Sequence, residues 1–461
     1  MNRPRIASMS ARLPGAVTSF MRAFHERGFE CYLVGGAVRN LILGHKPSDF
    51  DFTTNATPEQ VMRAFRRVIP TGVQHGTVTV LHKGQRFEVT TYRTESDYTD
   101  SRRPDRVEFV GDIHEDLRRR DFTMNAMAFD PDRSVFLDPH GGEDDIRRRI
   151  VRAIGDPAER FREDALRMMR AIRFAAQLEF EVDEETLRAV SSDADRIRAV
   201  SAERVRDELT RLLASEHPSY GMRLLRDTSL LSRILPELAE GVGVEQRGNH
   251  RFDVFEHSIR ACDAAPAENS VVRLAALLHD VGKPRALEED EEGTRRFHGH
   301  EKISADMSEQ LLRRLRFPNR TIAAVTHLVR HHMFNYTPEW SDAAVRRFIA
   351  RVGADAVPDL IALRAADGRA VSGENVDTRA LGRFAERVRT ELESQRAVTV
   401  RDLAVSGHDL MEAGIPRGPL LGVVLDALLE AVLEDPSQNT PQRLIEIAKR
   451  FYDERLSDEG T

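Results

Sequence analysis

Residues 32–52 read YLVGGAVRNLILGHKPSDFDF, and the order of features in that stretch decides the fold. The apolar run CYLV (31–34) meets a double glycine at 35–36 and reads as a short buried strand. AVRNLILG then has helical spacing and stops at Gly44. DFDFTT (49–54) alternates with period two, which predicts a strand with its aspartates on one face and its phenylalanines on the other. Strand, glycine turn, short helix and acidic strand together predict a mixed α/β unit.

Working outward, AVTSFMRAFHERG (16–28) reads as a helix stopped by glycine, and PEQVMRAFRRV as one opened by proline. GTVTVLHKG and RFEVTTYR read as two strands joined at Lys83-Gly84. Beyond about residue 143 the strand signals fade. PAERFREDALRMMRAIRFAAQL and most later segments are helical. The expected class is α+β, a small mixed sheet with helices followed by a long α-helical body. The expected division is 1–150 head, 151–245 helical neck, 246–372 third domain and 373–461 helical tail, because 461 residues exceed one ordinary core.

Apolar content of 41% and charged content of 31% fit a water-exposed globular chain, and no apolar run approaches the roughly 18 residues of a membrane span. The N-terminus lacks a signal-peptide core. Cys31 and Cys262 lie far apart in apolar surroundings, which suits reduced thiols and a cytoplasmic location. A net charge of −7 excludes a wholly basic surface, although arginines crowd at 118–120, 147–149 and 160–173.

Two carboxylates on one strand face repel unless a cation joins them. Hard oxygen ligands of this kind suit magnesium, and a pair of them is the core of a two-metal phosphoryl-transfer site. Asp49 and Asp51 are therefore the candidate catalytic ligands, with Glu88 in RFEVTTYR a candidate third. Gly36 would let backbone approach a phosphate at a helix N-terminus, and Arg39 lies one turn further on.

A glycine pair separated from Asp-x-Asp by twelve residues is the signature of polymerase-β-type nucleotidyltransferases. The longer string YLVGGAVRN…SDFDFTTNATPEQV closely resembles the bacterial CCA-adding enzymes (tRNA nucleotidyltransferases) and their poly(A) polymerase relatives. The resemblance implies addition of the tRNA 3′-terminal CCA from CTP and ATP, without a nucleic-acid template and with Mg2+. One departure is visible: the family usually has Asp after the arginine, and here it is Asn40.

LRRRDFTMNAM (117–127) resembles the family segment that meets the triphosphate and sugar, which carries the role to Arg120. REDALRMMRAIRF (162–174) resembles its EDxxR element, with Asp164, Arg167, Arg170 and Arg173. On one helix, steps of three drift by 60°, so the four could not all touch one base. A carboxylate beside a guanidinium complements the amino group and ring nitrogen of C and A, and mismatches G and U. Arg170 and Arg173 would extend that edge or reach phosphates. ESDYTDSRRPDRVEFV (95–110) resembles the family's flexible loop, whose presence favours full CCA or A addition.

FEHSIRA, AALLHDVGKP and RAADGRA resemble the H…HD…D pattern of HD-domain phosphohydrolases. The resemblance assigns His257, His279, Asp280 and Asp367 as metal ligands, with His300 and His331 as further candidates. Imidazoles with carboxylates suit nickel or manganese as well as magnesium. The C-terminal segment resembles the family region that docks tRNA. Competing readings are an A-adding or CC-adding specialist, a poly(A) polymerase, an HD phosphohydrolase with a nucleotide-binding head, and a pure RNA-binding protein with idle carboxylates. The acidic tail disfavours the poly(A) polymerase.

Overall fold

A computed structural model describes residues 3–96, 106–246, 251–289, 295–372, 379–394 and 399–458. It divides into two units, 1–239 with 314–317, and 240–313 with 318–461.

The first unit is built on the opening stretch. β1 (Cys31–Val34) runs into Gly35, whose φ of 65° is a backbone state that favours glycine. The helix Gly36–Leu43 follows and ends at Gly44, in the left-handed conformation. β2 is Asp51–Thr54, β3 Val68–Gly72, β4 Thr77–His82 and β5 Gln85–Thr91. Lys83 and Gly84 both take positive φ, the turn that a two-residue hairpin needs. β6 (Arg93–Ser96) pairs antiparallel with β7 (Arg106–Phe109) as a separate hairpin. The loop between them, the centre of the 95–110 expectation, lies outside the described residues. β8 (Ala128–Asp130) and β9 (Val135–Leu137) complete a seven-stranded sheet in the order β3-β4-β5-β2-β1-β8-β9.

Only β2 and β5 run parallel in this sheet, and their register sets Asp51 beside Glu88. Phe52, Phe87 and Val89 point to the other face, where the helix Gly15–His25 covers them with Phe20 and Phe24. The Phe20 and Phe52 rings meet edge-on at 5.0 Å. The same core continues through Phe122 and Phe129 into Ala171, Phe174 and Phe180, so head and neck residues share one apolar interior.

Gly142 locks the helix Gly142–Arg148 against Thr123–Asn125. A Cβ there would lie 2.2 Å from the Thr123 carbonyl oxygen, backbone that cannot swing away. Gly142→Ala is expected to cost about 1–3 kcal/mol through overpacking, read by chemical denaturation.

The second unit is helical. Val254–Ala264, Ser270–Leu278, Asn319–His331 and Val357–Ser372 gather around a buried histidine cluster. A separate small core, Leu410, Val424, Leu428, Leu444 and Ala448, holds the C-terminal helices together.

Candidate active site

Asp51 opens β2, and Asp49 stands just ahead of it rather than within the strand as the period-two reading expected. The ladder starts one register later because Asp51 is the first residue to pair, with Val34 on one side and Glu88 on the other. Phe50 still turns toward the core, 6.4 Å from the Phe87 ring, which leaves Asp49 at the surface. Partial desolvation raises the Asp51 carboxyl above the ordinary range; Arg120 opposes the rise and Asp49 adds to it. Glu88 is raised by desolvation and by Asp51. Crowded, raised carboxylates are the donor set that a hard divalent cation would relieve.

Cationic groups face this acidic edge. Arg120 lies against Gly35, its Nη1 3.5 Å from where a Cβ would stand. Asp116 holds it there, accepting Arg120 Nη2 at 3.2 Å, Arg119 Nη2 at 2.8 Å and the Thr53 hydroxyl at 3.2 Å. Burial pushes Asp116 up, but Arg120 and Arg119 together hold it below its usual value. Sequence reasoning missed Asp116. The i, i+3, i+4 spacing of DLRRR was the available signal.

Arg39 packs against Gly36, its Nη2 3.4 Å from the missing Cβ. It donates to Asn125 Oδ1 (2.9 Å) and, through Nε and Nη2, to Asn40 Oδ1 (3.3 and 3.2 Å). Phe174 carries three guanidiniums near its ring: Arg39 at 5.1 Å, Arg170 at 5.4 Å and Arg173 at 3.9 Å. That ring joins the glycine-turn helix to the arginine helix, a contact no local motif announced.

Asp164 does not share a helix with the arginines, contrary to the single-helix expectation. The chain breaks there between Pro157–Glu163 and Leu166–Leu178, with Asp164 extended at φ −146°. Its side chain accepts the Leu166 amide at 3.1 Å, so the residue acts as a cap and cannot also be helical. Arg204 clamps the carboxylate through Nη1 (3.1 Å) and Nη2 (2.6 Å). Arg167 is buried and pairs with Glu163 at 2.6 Å. Arg170 pairs with Asp121, and Arg173 with buried Glu208. Burial raises Asp121, but Arg170 and Asn125 bring it down to about 2. Asp121, Asn125, Arg204 and Glu208 were not foreseen, because the charged partners they hold, Arg170, Arg39, Asp164 and Arg173, are 35 to 86 residues away along the chain.

In the second unit, His257, His279, Asp280 and Asp367 come together as the sequence suggested. His257 Nε2 lies 3.2 Å from His279 Nε2, 3.4 Å from Asp280 and 3.1 Å from Asp367. His300 Nε2 approaches the other Asp280 oxygen at 3.2 Å, and His332 Nε2 at 3.8 Å. His332 therefore replaces His331, which is half-buried and lies with its ring tilted against that of His327, centroids 4.6 Å apart. Neighbouring residues at a helix end diverge by about 100°, so only one of two adjacent histidines can face the cluster.

Nδ1 of His279, His300 and His332 donates to the carbonyls of Ala276, Phe297 and Val329 at 2.8, 2.8 and 2.6 Å. Each Nε2 is thereby aimed inward, the orientation that backbone partners give metal-binding imidazoles. Two triads result, His257/His279/Asp280 and Asp280/His300/His332, sharing Asp280. The Nε2 atoms of His300 and His332 are buried without a hydrogen-bond partner among the described residues, which fits cation ligands. Lys283 bonds the shared carboxylate at 2.6 Å and Gln246 at 2.6 Å. Among the described residues, no helix is long and apolar enough to cross a membrane.

Three family models match in series: the poly A polymerase head domain over residues 31–152, a probable RNA- and SrmB-binding site of polymerase A over 179–241, and the HD domain over 247–371. The CCA-adding enzyme of Levilactobacillus brevis is 36% identical over 428 residues, 92% of this chain and 95% of that protein. The A-adding tRNA nucleotidyltransferase of Deinococcus radiodurans is 36% identical over 438 residues, with 92% and 95% covered. The crystal structure of the Bacillus stearothermophilus CCA-adding enzyme in complex with CTP aligns with a TM-score of 0.75 at 30% identity, over 96% of this chain and 98% of that one. At 36% identity over 92% of its length to both relatives, the chain belongs to the family of CCA-adding and A-adding tRNA nucleotidyltransferases.

Proposed function

We propose that this chain is an enzyme that adds or repairs the 3′-terminal CCA of tRNA, using CTP and ATP and no nucleic-acid template. The observation that carries the reading is the single edge on which Asp49, Asp51 and Glu88 gather beside Arg120, with Arg120 and Arg39 packed on the adjoining Gly35-Gly36 turn. Asp49 and Asp51 would hold Mg2+, with Glu88 beside them. Magnesium there supplies acidification of the attacking 3′-hydroxyl and charge neutralisation on the departing pyrophosphate. Gly36 and Arg39 bind triphosphate oxygens, and Arg120 sits between these and the carboxylates. Asp164, in the break before the helix Leu166–Leu178, and Arg167, in that helix's first turn, present the edge that reads C and A, while Arg170 and Arg173 fix the helix through Asp121 and Glu208. The division into head 1–150, neck 151–245, HD domain 246–372 and tail 373–461 accompanies this reading, with tRNA held by the helical body.

The similarity to an A-adding relative at the same identity favours one second reading, a specialist that adds only A. tRNAs lacking all of CCA, lacking the second C and the A, and lacking only the A would be offered CTP, ATP, UTP or GTP singly. Full CCA addition requires CTP incorporation on the first two substrates and ATP on the third. ATP use on the third alone identifies the specialist, and efficient UTP or GTP use refutes the Asp164/Arg167 edge. Asp164→Ala is expected to lower C and A incorporation by about ten-fold or more and to narrow the margin over U and G, since a lost partner costs about 1–3 kcal/mol.

The two triads of the second unit would hold divalent cations, manganese and nickel being suited to imidazole with carboxylate. A phosphohydrolase activity there would be separate from nucleotidyl transfer. It is tested with 2′,3′-cyclic phosphate substrates and lost in His279→Ala.

A further inference from the structure

We infer that Asn40 is a positioning residue that holds Arg39 in place without neutralising it, leaving a full positive charge for the phosphates of the incoming nucleotide. The inference rests on the proposed placing of Arg39 at the triphosphate. Arg39 is half-buried, and the acceptors that grip it are amide oxygens: Asn125 Oδ1 on Nη1, and Asn40 Oδ1 on both Nε and Nη2. Amide oxygens orient a guanidinium through dipoles and carry no net charge. Asp121, the acid whose charge acts on Arg39, is already occupied by Arg170, the Asn125 amide group and the Phe122 backbone. Arg170 and Arg173 add two further guanidiniums around Phe174.

The electrostatic consequence is visible in Arg39 itself. Burial, assisted by Arg173 and Arg170 against Asp121, lowers its pKa to about 10. It stays protonated at neutral pH but is under-compensated, and an anion laid against Gly36 would relieve it. A carboxylate at position 40 would accept the same Nε and Nη2 donors with a full negative charge. It would convert an orienting contact into a charge-neutralising ion pair. The motif departure at Asn40 thus has a physical content: the grip on the guanidinium is kept and its charge stays available.

Asn40→Asp is nearly isosteric, so folding is preserved and charge is the variable. CTP binding to the full chain, measured with magnesium and without tRNA, is expected to weaken on the order of ten-fold, the scale of one added charge in a partly exposed site. In steady state KM for CTP and ATP should rise by a similar factor with kcat within about two-fold, and pyrophosphate should inhibit more weakly. A structural defect would lower kcat as well. Unchanged or tighter CTP binding in Asn40→Asp overturns the inference. Arg39→Gln separates the two levels of argument. If it leaves CTP binding intact, the placing of Arg39 at the phosphates is wrong. If it weakens binding and Asn40→Asp does not, that placing stands and the role of Asn40 falls.

Discussion

Asp51→Asn is expected to abolish nucleotidyl transfer, by about a thousand-fold or more, while making the cation-free protein more stable. The two effects share one cause. Asp51 pairs with Glu88 in the parallel β2/β5 register and follows Asp49 by two residues, so three carboxylates crowd one edge. Its carboxyl is raised by desolvation and by Asp49, with Arg120 only partly opposing. A raised carboxyl means that ionisation is disfavoured in the folded state. The penalty is therefore present above the folded-state pKa and disappears as pH falls through it. Without divalent cation, the variant should unfold at a higher temperature than wild type at pH 8, and the gap should close toward pH 4. Excess Mg2+ should reverse the order, because only wild type retains the full carboxylate set. A divalent ion contributes several kcal/mol of charge stabilisation in the transition state, hence the size of the rate loss. Single-turnover CTP incorporation on tRNA lacking CCA measures it. A rate within ten-fold of wild type would remove Asp51 from the reaction.

Much of this edge was legible because it is local. Gly35-Gly36, the short helix and Asp-x-Asp sit within 21 residues, and period-two alternation requires only neighbours on the chain. The register error at Asp49 was small because Phe50 keeps facing the core whether or not it joins the ladder. Most supports of the site were not legible. Asn125 holding Arg39, Arg204 on Asp164 and Glu208 on Arg173 are side-chain pairs set by tertiary packing, whereas Asp116 holding Arg120 is a local i, i+4 pair whose spacing was there to be read. The break at Asp164 shows why helical periodicity overran the truth. REDALRMM has a continuous helical pattern, yet an aspartate that can cap the Leu166 amide offers the backbone a better local bond. Likewise HHMF presented two equivalent histidines, and only the direction of the helix end decided for His332.

The other large effect is expected at Asp280. Its two oxygens serve both triads, Oδ2 toward His257 and His279 and Oδ1 toward His300 and His332. In wild type, Mn2+ or Ni2+ at about a hundred times its Kd should stabilise the fold by about 2.7 kcal/mol per site, seen as a rise in unfolding temperature. Asp280→Asn should erase that rise entirely, because an amide offers one weaker oxygen where a carboxylate had two. The variant should also be less stable without metal, since Lys283 loses its buried counter-charge at 2.6 Å. His332→Gln gives a cleaner comparison, as it leaves the Lys283 pair and the four residues His257, His279, Asp280 and Asp367 in place and removes the edge-on contact with the His279 ring at 5.1 Å and the approach to Asp280. It should lose only part of the metal-induced rise, and His331→Gln none of it. Equal loss at both positions would contradict the inward aim of His332 Nε2. Metal content of the purified variants should follow the same ranking, because Nδ1 of His332 is held by the Val329 carbonyl and Nε2 can turn nowhere else.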